Sequence, residues 1–203
     1  MADRAAREIR GFLLYERVLD RAAQRALVEN VRAIARAAPF LVPVTRRGTE
    51  MSVRMTSAGA FGWITDRRGY RYEPVHPSGV GWPPIPERVV ALWRELVPEA
   101  RPPESCLVNW YGPDARMGLH QDSDEADMAQ PVVSVSLGDD ALFRIGNEER
   151  GGRTESVWLR SGDVIVMGGA ARRLHHGIDR IKAGTSDLLD VPGRINLTLR
   201  VVT

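Results

Sequence analysis

His120 and Asp122 stand two residues apart, and His176 follows downstream, directly before Gly177-Ile178. Two imidazoles and one carboxylate form a ligand set that holds Fe(II) while leaving coordination positions open for oxygen and a co-substrate. Residues two apart in an extended strand share a face, so His120 and Asp122 would project together toward one metal ion. Taken alone, a His-x-Asp pair is also compatible with a surface or hydrogen-bonded pair, and such triads suit zinc as well. Further on, Arg194 to Val201 alternates strictly: Ile195, Leu197, Leu199 and Val201 form one face, and Arg194, Asn196, Thr198 and Arg200 the other. If that strand is buried, its guanidiniums need a negative partner; if it lies at an edge, water suffices. Beside a metal triad, a dicarboxylate co-substrate is the better partner, because Arg grips carboxylates bidentately. Asn109 and Tyr111 repeat the spacing and offer an amide and a phenol to one face, unless they merely precede the Gly112-Pro113 turn.

The elements that must position these groups fall into two halves. Phe12 to Tyr15 reads as a short strand after a polar, frayed segment 1–11. Asp20 suits an N-cap, and Leu27, Val31, Ile34 and Ala38 line one face of a helix over 21–38 that Pro39 ends. A second helix is expected over 86–97, with Val89, Leu92, Trp93 and Leu96 inward and Pro98 as its stop. Between them, short extended runs (51–56, 61–65, 70–72) suggest hairpins that turn at Gly59 and at Asp66–Gly69, with His76 in a loop. From Cys106 onward the pattern is all β. Candidate strands are 106–111, 117–121, 132–137, 141–146, 155–160, 163–167, 173–176 and 194–202. Short strands separated by turns, without a helix signal, suggest a sandwich or jelly roll.

With 203 residues the chain has the length of one domain with a full core. A formal net charge of +2 is permissive of a nucleic-acid partner without requiring one. Lys182 is the sole lysine, so positive charge is nearly all Arg; a coding bias that also enriches Ala accounts for this, as does a need for phosphate- and carboxylate-gripping forks. Cys106 is the single cysteine, which excludes a disulfide framework and a Cys-rich zinc site. No apolar run approaches membrane-spanning length and no charged-then-apolar leader opens the sequence, so a soluble intracellular protein is expected.

Several motifs in order, Asn109–Tyr111, His120–Glu125, Pro131–Gly138, Gly162–Val166 with Gly168-Gly169, His176–Ile178 and Arg194–Arg200, resemble the AlkB family of Fe(II)- and 2-oxoglutarate-dependent dioxygenases. Gly62-Trp63 and Tyr70-Arg71-Tyr72 resemble that family's substrate lid, so the likeness covers nearly the whole chain. It implies an α+β fold: a double-stranded β-helix (jelly-roll) core over about 101–203, with N-terminal helices and a β-hairpin nucleotide-recognition lid over about 1–100, as one domain. It implies oxidative demethylation of N1-methyladenine and N3-methylcytosine in DNA, with RNA as a further target, in repair of alkylation damage. Fe(II), 2-oxoglutarate and O2 would be required, formaldehyde, succinate and CO2 released, and a cytoplasmic monomer acting on single strands is expected.

The likeness also assigns roles. His120, Asp122 and His176 would bind Fe(II). Arg194 would pair with the distal carboxylate of 2-oxoglutarate, with Asn109, Trp110, Tyr111, Asn196 and Arg200 completing that pocket. Trp63, Tyr70, Arg71 and Tyr72 would form the lid over the base, Asp124 would contact the base, and Arg150 would contact the substrate. A carboxylate at Asp124 suits bases that methylation has made cationic; an acidic turn with Glu125 and Asp127 is the alternative. Ser123 stands where members often carry Lys, and His175 stands where an aromatic is commoner and competes with His176 for the ligand role, the His176-Gly177-Ile178 run favouring His176. Arg46, Arg47, Arg54, Arg67, Arg68 and Arg71, set among aromatics, fit a strand-binding lid or an ordinary polar hairpin surface. The rival functions are a related dioxygenase acting on a protein or small molecule, a hydrolytic zinc enzyme and a non-catalytic nucleic-acid-binding protein.

Overall fold

Asp20 begins the first helix as a cap should: its Oδ1 accepts from the Ala23 backbone N–H at 2.8 Å. The helix α1 spans Arg21–Ala37 and buries Leu27, Val31 and Ile34, and α2 spans Glu87–Leu96 and buries Val89, Leu92 and Trp93. Pro86 sits at the N-cap of α2 rather than inside its first turn. The computed structural model describes residues 5–45 and 47–203. Its strands are β1 (Arg7–Ile9), β2 (Phe12–Tyr15), β3 (Val53–Gly59), β4 (Gly62–Asp66), β5 (Gly69–Glu73), β6 (Ser105–Tyr111), β7 (Met117–His120), β8 (Val132–Gly138), β9 (Asp140–Ile145), β10 (Glu155–Leu159), β11 (Val164–Met167), β12 (His176–Lys182) and β13 (Arg194–Arg200).

Seven of these strands form a sheet in the order β1-β2-β11-β8-β13-β6-β3, and four form a second sheet, β10-β9-β12-β7. Every pairing is antiparallel. The two sheets face each other across an apolar layer that includes Phe12, Val53, Phe143, Ile145 and Ile165. The helices pack on the outer side of the larger sheet, where Leu27, Val31, Val89 and Trp93 meet Val108, Val135, Leu197 and Leu199. This is the jelly-roll core with N-terminal helices expected from the pattern of short strands. The hairpin β4-β5 forms a separate small sheet.

The β13 strand lies between β8 and β6, with Asn196 opposite both Ser136 and Asn109. It is therefore central rather than an edge, and both of its faces are buried.

Four local expectations are corrected. Part of the supposedly frayed segment forms β1, which pairs with β2. Gly59 ends β3 without making a hairpin, because β3 pairs with β6 and β4 with β5; its φ of +116° would place a Cβ 2.4 Å from the Glu104 carbonyl oxygen. The strand expected over 173–176 begins instead at His176, after a 3₁₀ helix at Gly169–Arg173 that the β-only reading of this half lacked. Finally, β7 ends at His120, so Asp122 and Asp124 lie in the loop beyond it rather than on a continuing strand.

Candidate active site

Antiparallel pairing of β12 with β7 sets His176 opposite His120, with ring centroids 4.8 Å apart. Gly177 permits this approach, since a Cβ there would lie 2.5 Å from the Met117 carbonyl oxygen. The chain then curls after β7 and brings Asp122 between the two rings. Its Oδ1 is 3.7 Å from His120 Nε2, and its Oδ2 is 3.8 Å from His176 Nε2. The three ligand atoms lie within 4.8 Å of one another. Each imidazole is oriented by its own backbone: His120 Nδ1 meets the Gly118 carbonyl at 2.9 Å, and His176 Nδ1 the Leu174 carbonyl at 3.1 Å. With Nδ1–H donating to a carbonyl, the Nε2 lone pair is free to face a metal.

Burial pushes the His176 imidazole down to about 4, which keeps it neutral and ligand-competent near pH 7. Burial would raise the Asp122 carboxyl, but Arg200, then His176 and His120, overcome it and hold the group well below the usual carboxylate range. His175 is turned away from this cluster: its Nδ1 meets the Asn147 carbonyl at 3.0 Å, and His176 is the histidine that joins His120 and Asp122.

Beside the triad lies a cavity of about 550 Å³, walled by the polar face of β13 and by Asn109 and Tyr111 of β6. Arg194 is 1% exposed. Its Nη2 donates to Ser136 Oγ at 2.9 Å and its guanidinium carbon lies 5.5 Å from the Tyr111 ring centroid. Its Nε and Nη1 have no hydrogen-bond partner, nor does Asn109 Oδ1. With no carboxylate in contact and only the more distant Asp163 acting on it, this buried guanidinium leaves much of its desolvation cost unmet. A dicarboxylate bound in this cavity would supply the missing charge, so the donor set fits 2-oxoglutarate as well as the triad fits Fe(II).

Arg200 differs from Arg194. Its Nη2 donates to Asp122 Oδ2 at 2.8 Å, and its Nε lies 3.1 Å from Glu125 Oε1, although the direction is too oblique for a hydrogen bond. Glu125 also accepts from the Tyr72 hydroxyl at 2.5 Å and from Arg172 Nη2 at 3.1 Å. Arg172 in turn donates from Nη1 to the Asp122 carbonyl at 2.9 Å. Two guanidiniums thus balance two carboxylates. Arg172, and Glu125 as more than an acidic turn residue, went unrecognised in the sequence, because no local pattern announces a partner tens of residues away.

The cavity mouth is lined by Trp63, Tyr70, Tyr72, Asp124 and Arg150, while Arg71 of the assigned lid and Trp110 of the assigned pocket lie elsewhere. Trp63 and Tyr70 stack on each other at 5.4 Å with ring planes 17° apart, and Trp63 Nε1 donates to Asp124 Oδ2 at 2.8 Å. Strand alternation turns Arg71 toward Asp66 and Glu73, which it contacts at 2.8 and 2.7 Å. Trp110 is likewise absent from the wall. It lies one residue out of phase with Asn109 and Tyr111, packs against the helix-side apolar layer and takes Arg54 over its ring at 5.6 Å. The basic lid segment is thereby partly committed to local partners, Arg68 also pairing with Asp66; Arg46 lies outside the described residues.

Known proteins resemble this chain over nearly its whole length. Residues 11–200 match the 2OG-Fe(II) oxygenase superfamily. The chain is 53% identical over 191 residues to an alpha-ketoglutarate-dependent dioxygenase AlkB homolog of Caulobacter vibrioides, covering 94% of this chain and 87% of that protein. It is 39% identical over 195 residues to the alpha-ketoglutarate-dependent dioxygenase AlkB of Escherichia coli, covering 94% and 89%. The solved structure of OsALKBH1 superposes with a TM-score of 0.85 at 31% identity, over 96% of this chain and 99% of that one. Alternation that aims Arg194 at a His/Asp/His cluster, in a chain this similar to named dioxygenases, places the protein in the AlkB family of Fe(II)- and 2-oxoglutarate-dependent oxygenases.

Proposed function

We propose that this dioxygenase removes methyl groups from N1-methyladenine and N3-methylcytosine in single-stranded nucleic acid, DNA foremost, as direct repair of alkylation damage. One observation carries the reading: a buried cation with unpartnered donors, Arg194, shares a cavity with the triad and with an aromatic mouth closed by a carboxylate. Oxidative demethylation of alkylated bases is the chemistry of the family to which the chain belongs.

His120, Asp122 and His176 would hold Fe(II), and Arg194 with Asn109, Tyr111, Asn196 and the spare Nη1 of Arg200 would hold 2-oxoglutarate. When bound with O2, these groups supply the oxidising power that hydroxylates an N-linked methyl, with succinate, CO2 and formaldehyde as products. The protein's own part is placement. Arg194 fixes the co-substrate by charge, and burial of Tyr111, whose phenol is pushed up to about 12, keeps that hydroxyl a hydrogen-bond donor. Trp63 and Tyr70 give the target base a stacking surface once it has left its duplex or strand stack. Asp124 sets a negative charge where a methylated base carries a positive one and an undamaged base carries none. Arg150 contributes a cation at the mouth for the substrate strand.

We take residues 1–203 as one domain and the enzyme as a cytoplasmic monomer. No described helix is long and apolar enough to cross a membrane.

The deciding experiment is formaldehyde release from an N1-methyladenine oligonucleotide with Fe(II), 2-oxoglutarate and O2, run beside His120→Ala. Release that needs 2-oxoglutarate and vanishes in the variant is expected. Succinate formed only with a protein or small-molecule substrate would overturn the base-repair reading, and binding without either product would overturn the enzymatic one.

A further inference from the structure

Glu125 occupies a position that catalysis by the triad does not explain. Its side chain is 3% exposed, and its two oxygens are shared among three elements. Tyr72, on β5 of the lid hairpin, donates to Oε1 at 2.5 Å. Arg172, in the 3₁₀ helix before β12, donates to Oε2 at 3.1 Å. Arg200, at the end of β13, sets Nε 3.1 Å from Oε1. Both arginines then reach Asp122, Arg200 through the carboxylate at 2.8 Å and Arg172 through the backbone carbonyl at 2.9 Å. Arg172 is tied down further by Nε to the Gln130 carbonyl at 2.9 Å. Asp122 is thus held at its side chain and at its main chain by two cations whose common counter-charge is Glu125.

We propose that Glu125 is a positioning residue that links the seating of the β4-β5 lid to the geometry of the metal-binding carboxylate. The inference rests on the reading of Asp122 as an iron ligand. Tyr72 makes no hydrogen bond to His120, Asp122 or His176; its hydroxyl bonds Glu125, and it lies near enough to Arg200 and Asp122 to feel their charges. With the lid seated, that hydroxyl satisfies Oε1 and keeps the carboxylate facing both guanidiniums. With the lid lifted, Oε1 loses its neutral donor, the carboxylate turns toward the cations, and Arg200 is drawn off Asp122 Oδ2. The coupling is reciprocal, as any coupling of two binding equilibria must be: metal bound by a correctly aimed Asp122 favours the seated lid.

Co(II) serves as the probe, with no nucleic acid or turnover involved. Its affinity and visible absorption are measured for the parent, His120→Ala, Glu125→Gln, Tyr72→Phe and Thr65→Val. Tyr72→Phe keeps the ring and loses only the hydroxyl, which guards against a Glu125→Gln protein that fails to fold around two unbalanced arginines. Thr65 donates to the Val44 carbonyl at 3.0 Å, so Thr65→Val loosens the same hairpin while keeping the Tyr72 hydroxyl, and it is made in both the parent and the Tyr72→Phe background. Outer partners of metal ligands affect affinity by roughly 10- to 100-fold, so Co(II) should bind about 10-fold more weakly to Glu125→Gln, about 3-fold more weakly to Tyr72→Phe and about 2-fold more weakly to Thr65→Val, the last effect vanishing when Thr65→Val is added to Tyr72→Phe. Hydrogen exchange of β4 and β5 amides should slow on Co(II) addition in the parent and not in Tyr72→Phe. A site that depends on His120 but ignores Tyr72→Phe, or that weakens as much when Thr65→Val is added to Tyr72→Phe as when it is added to the parent, would overturn the link alone. Co(II) binding indifferent to His120→Ala would overturn the metal-site reading and the link together.

Discussion

Along β13, Ile195, Leu197 and Leu199 pack into the layer beneath α1 and α2, while Arg194, Asn196, Thr198 and Arg200 line the cavity between the sheets. All seven are buried to the same degree, none more than 6% exposed. Their energetic roles are opposed. The apolar face stabilises the fold by about 25 cal/mol for each Å² removed from water. The polar face costs desolvation that its protein partners offset only in part, since Arg194 keeps two N–H groups unmatched. One strand therefore separates stability from function by a single residue of phase. The contrast extends to its two arginines: Arg200 has its counter-charges within the protein, whereas Arg194 awaits one from a ligand.

The largest effect should come from the polar side. Asp122→Ala is expected to reduce formaldehyde release by at least about 1,000-fold, because a ligand is lost and Arg200 loses one of its two counter-charges; comparable turnover would mean that Asp122 is not a ligand. Next, Arg194→Met should raise the 2-oxoglutarate KM on the order of 100-fold, a charge-assisted pair being lost. The same variant should melt about 2–4 °C higher without ligand for each kcal/mol of relieved burial cost. Calorimetry of the ligand-free protein tests this, and a lower Tm would erase the proposed opposition between the faces.

Leu197→Ala, three positions beyond Arg194 and on the apolar face of β13, should cost about 2–5 kcal/mol of stability with the 2-oxoglutarate KM of the folded fraction unchanged. Denaturant titration beside steady-state kinetics would expose any crossover. A pH titration sharpens the comparison from another side. The His176 imidazole is held near 4 against an ordinary value of 6.5, so between those values the unfolded chain carries a proton that the folded chain lacks. Stability of the metal-free protein should therefore rise with pH across that window, by up to about 1.4 kcal/mol per unit. His176→Asn should flatten the slope in urea unfolding series. The Asp122 contribution falls below this window, since its carboxyl is depressed further and loses its stabilising charge only in stronger acid. The smallest effect is expected at Trp110→Phe: stability lower by about 1 kcal/mol from lost packing and cation–π contact, with co-substrate KM within about two-fold. A large KM change there would return Trp110 to the co-substrate pocket and undo its placement on the helix side.

Alternation, capping and ligand type are local properties, and what depended on them was legible in the sequence. The alternation over 194–201 gave both faces of β13, Asp20 marked the start of α1, and the His-Gly-Ile run pointed to His176 over His175. The limits are physical as well. A bulge between Ile178 and Arg180 breaks the period of β12 and hid most of that strand. Trp110 sits inside a motif with Asn109 and Tyr111, yet pleating sends it to the other face, so adjacency in a motif was no guide to direction. Arg71 could be read as a substrate contact until the hairpin set it against Asp66 and Glu73. The Glu125 junction was furthest from view, because it joins β5, the loop after β7, the 3₁₀ helix and β13. Residue types and short-range periodicity by themselves determined the strand faces and named His120, Asp122, His176 and Arg194 as candidates. Only the tertiary structure decided which buried charges neutralise each other, since that depends on strand register and on side chains meeting across segments far apart in the chain.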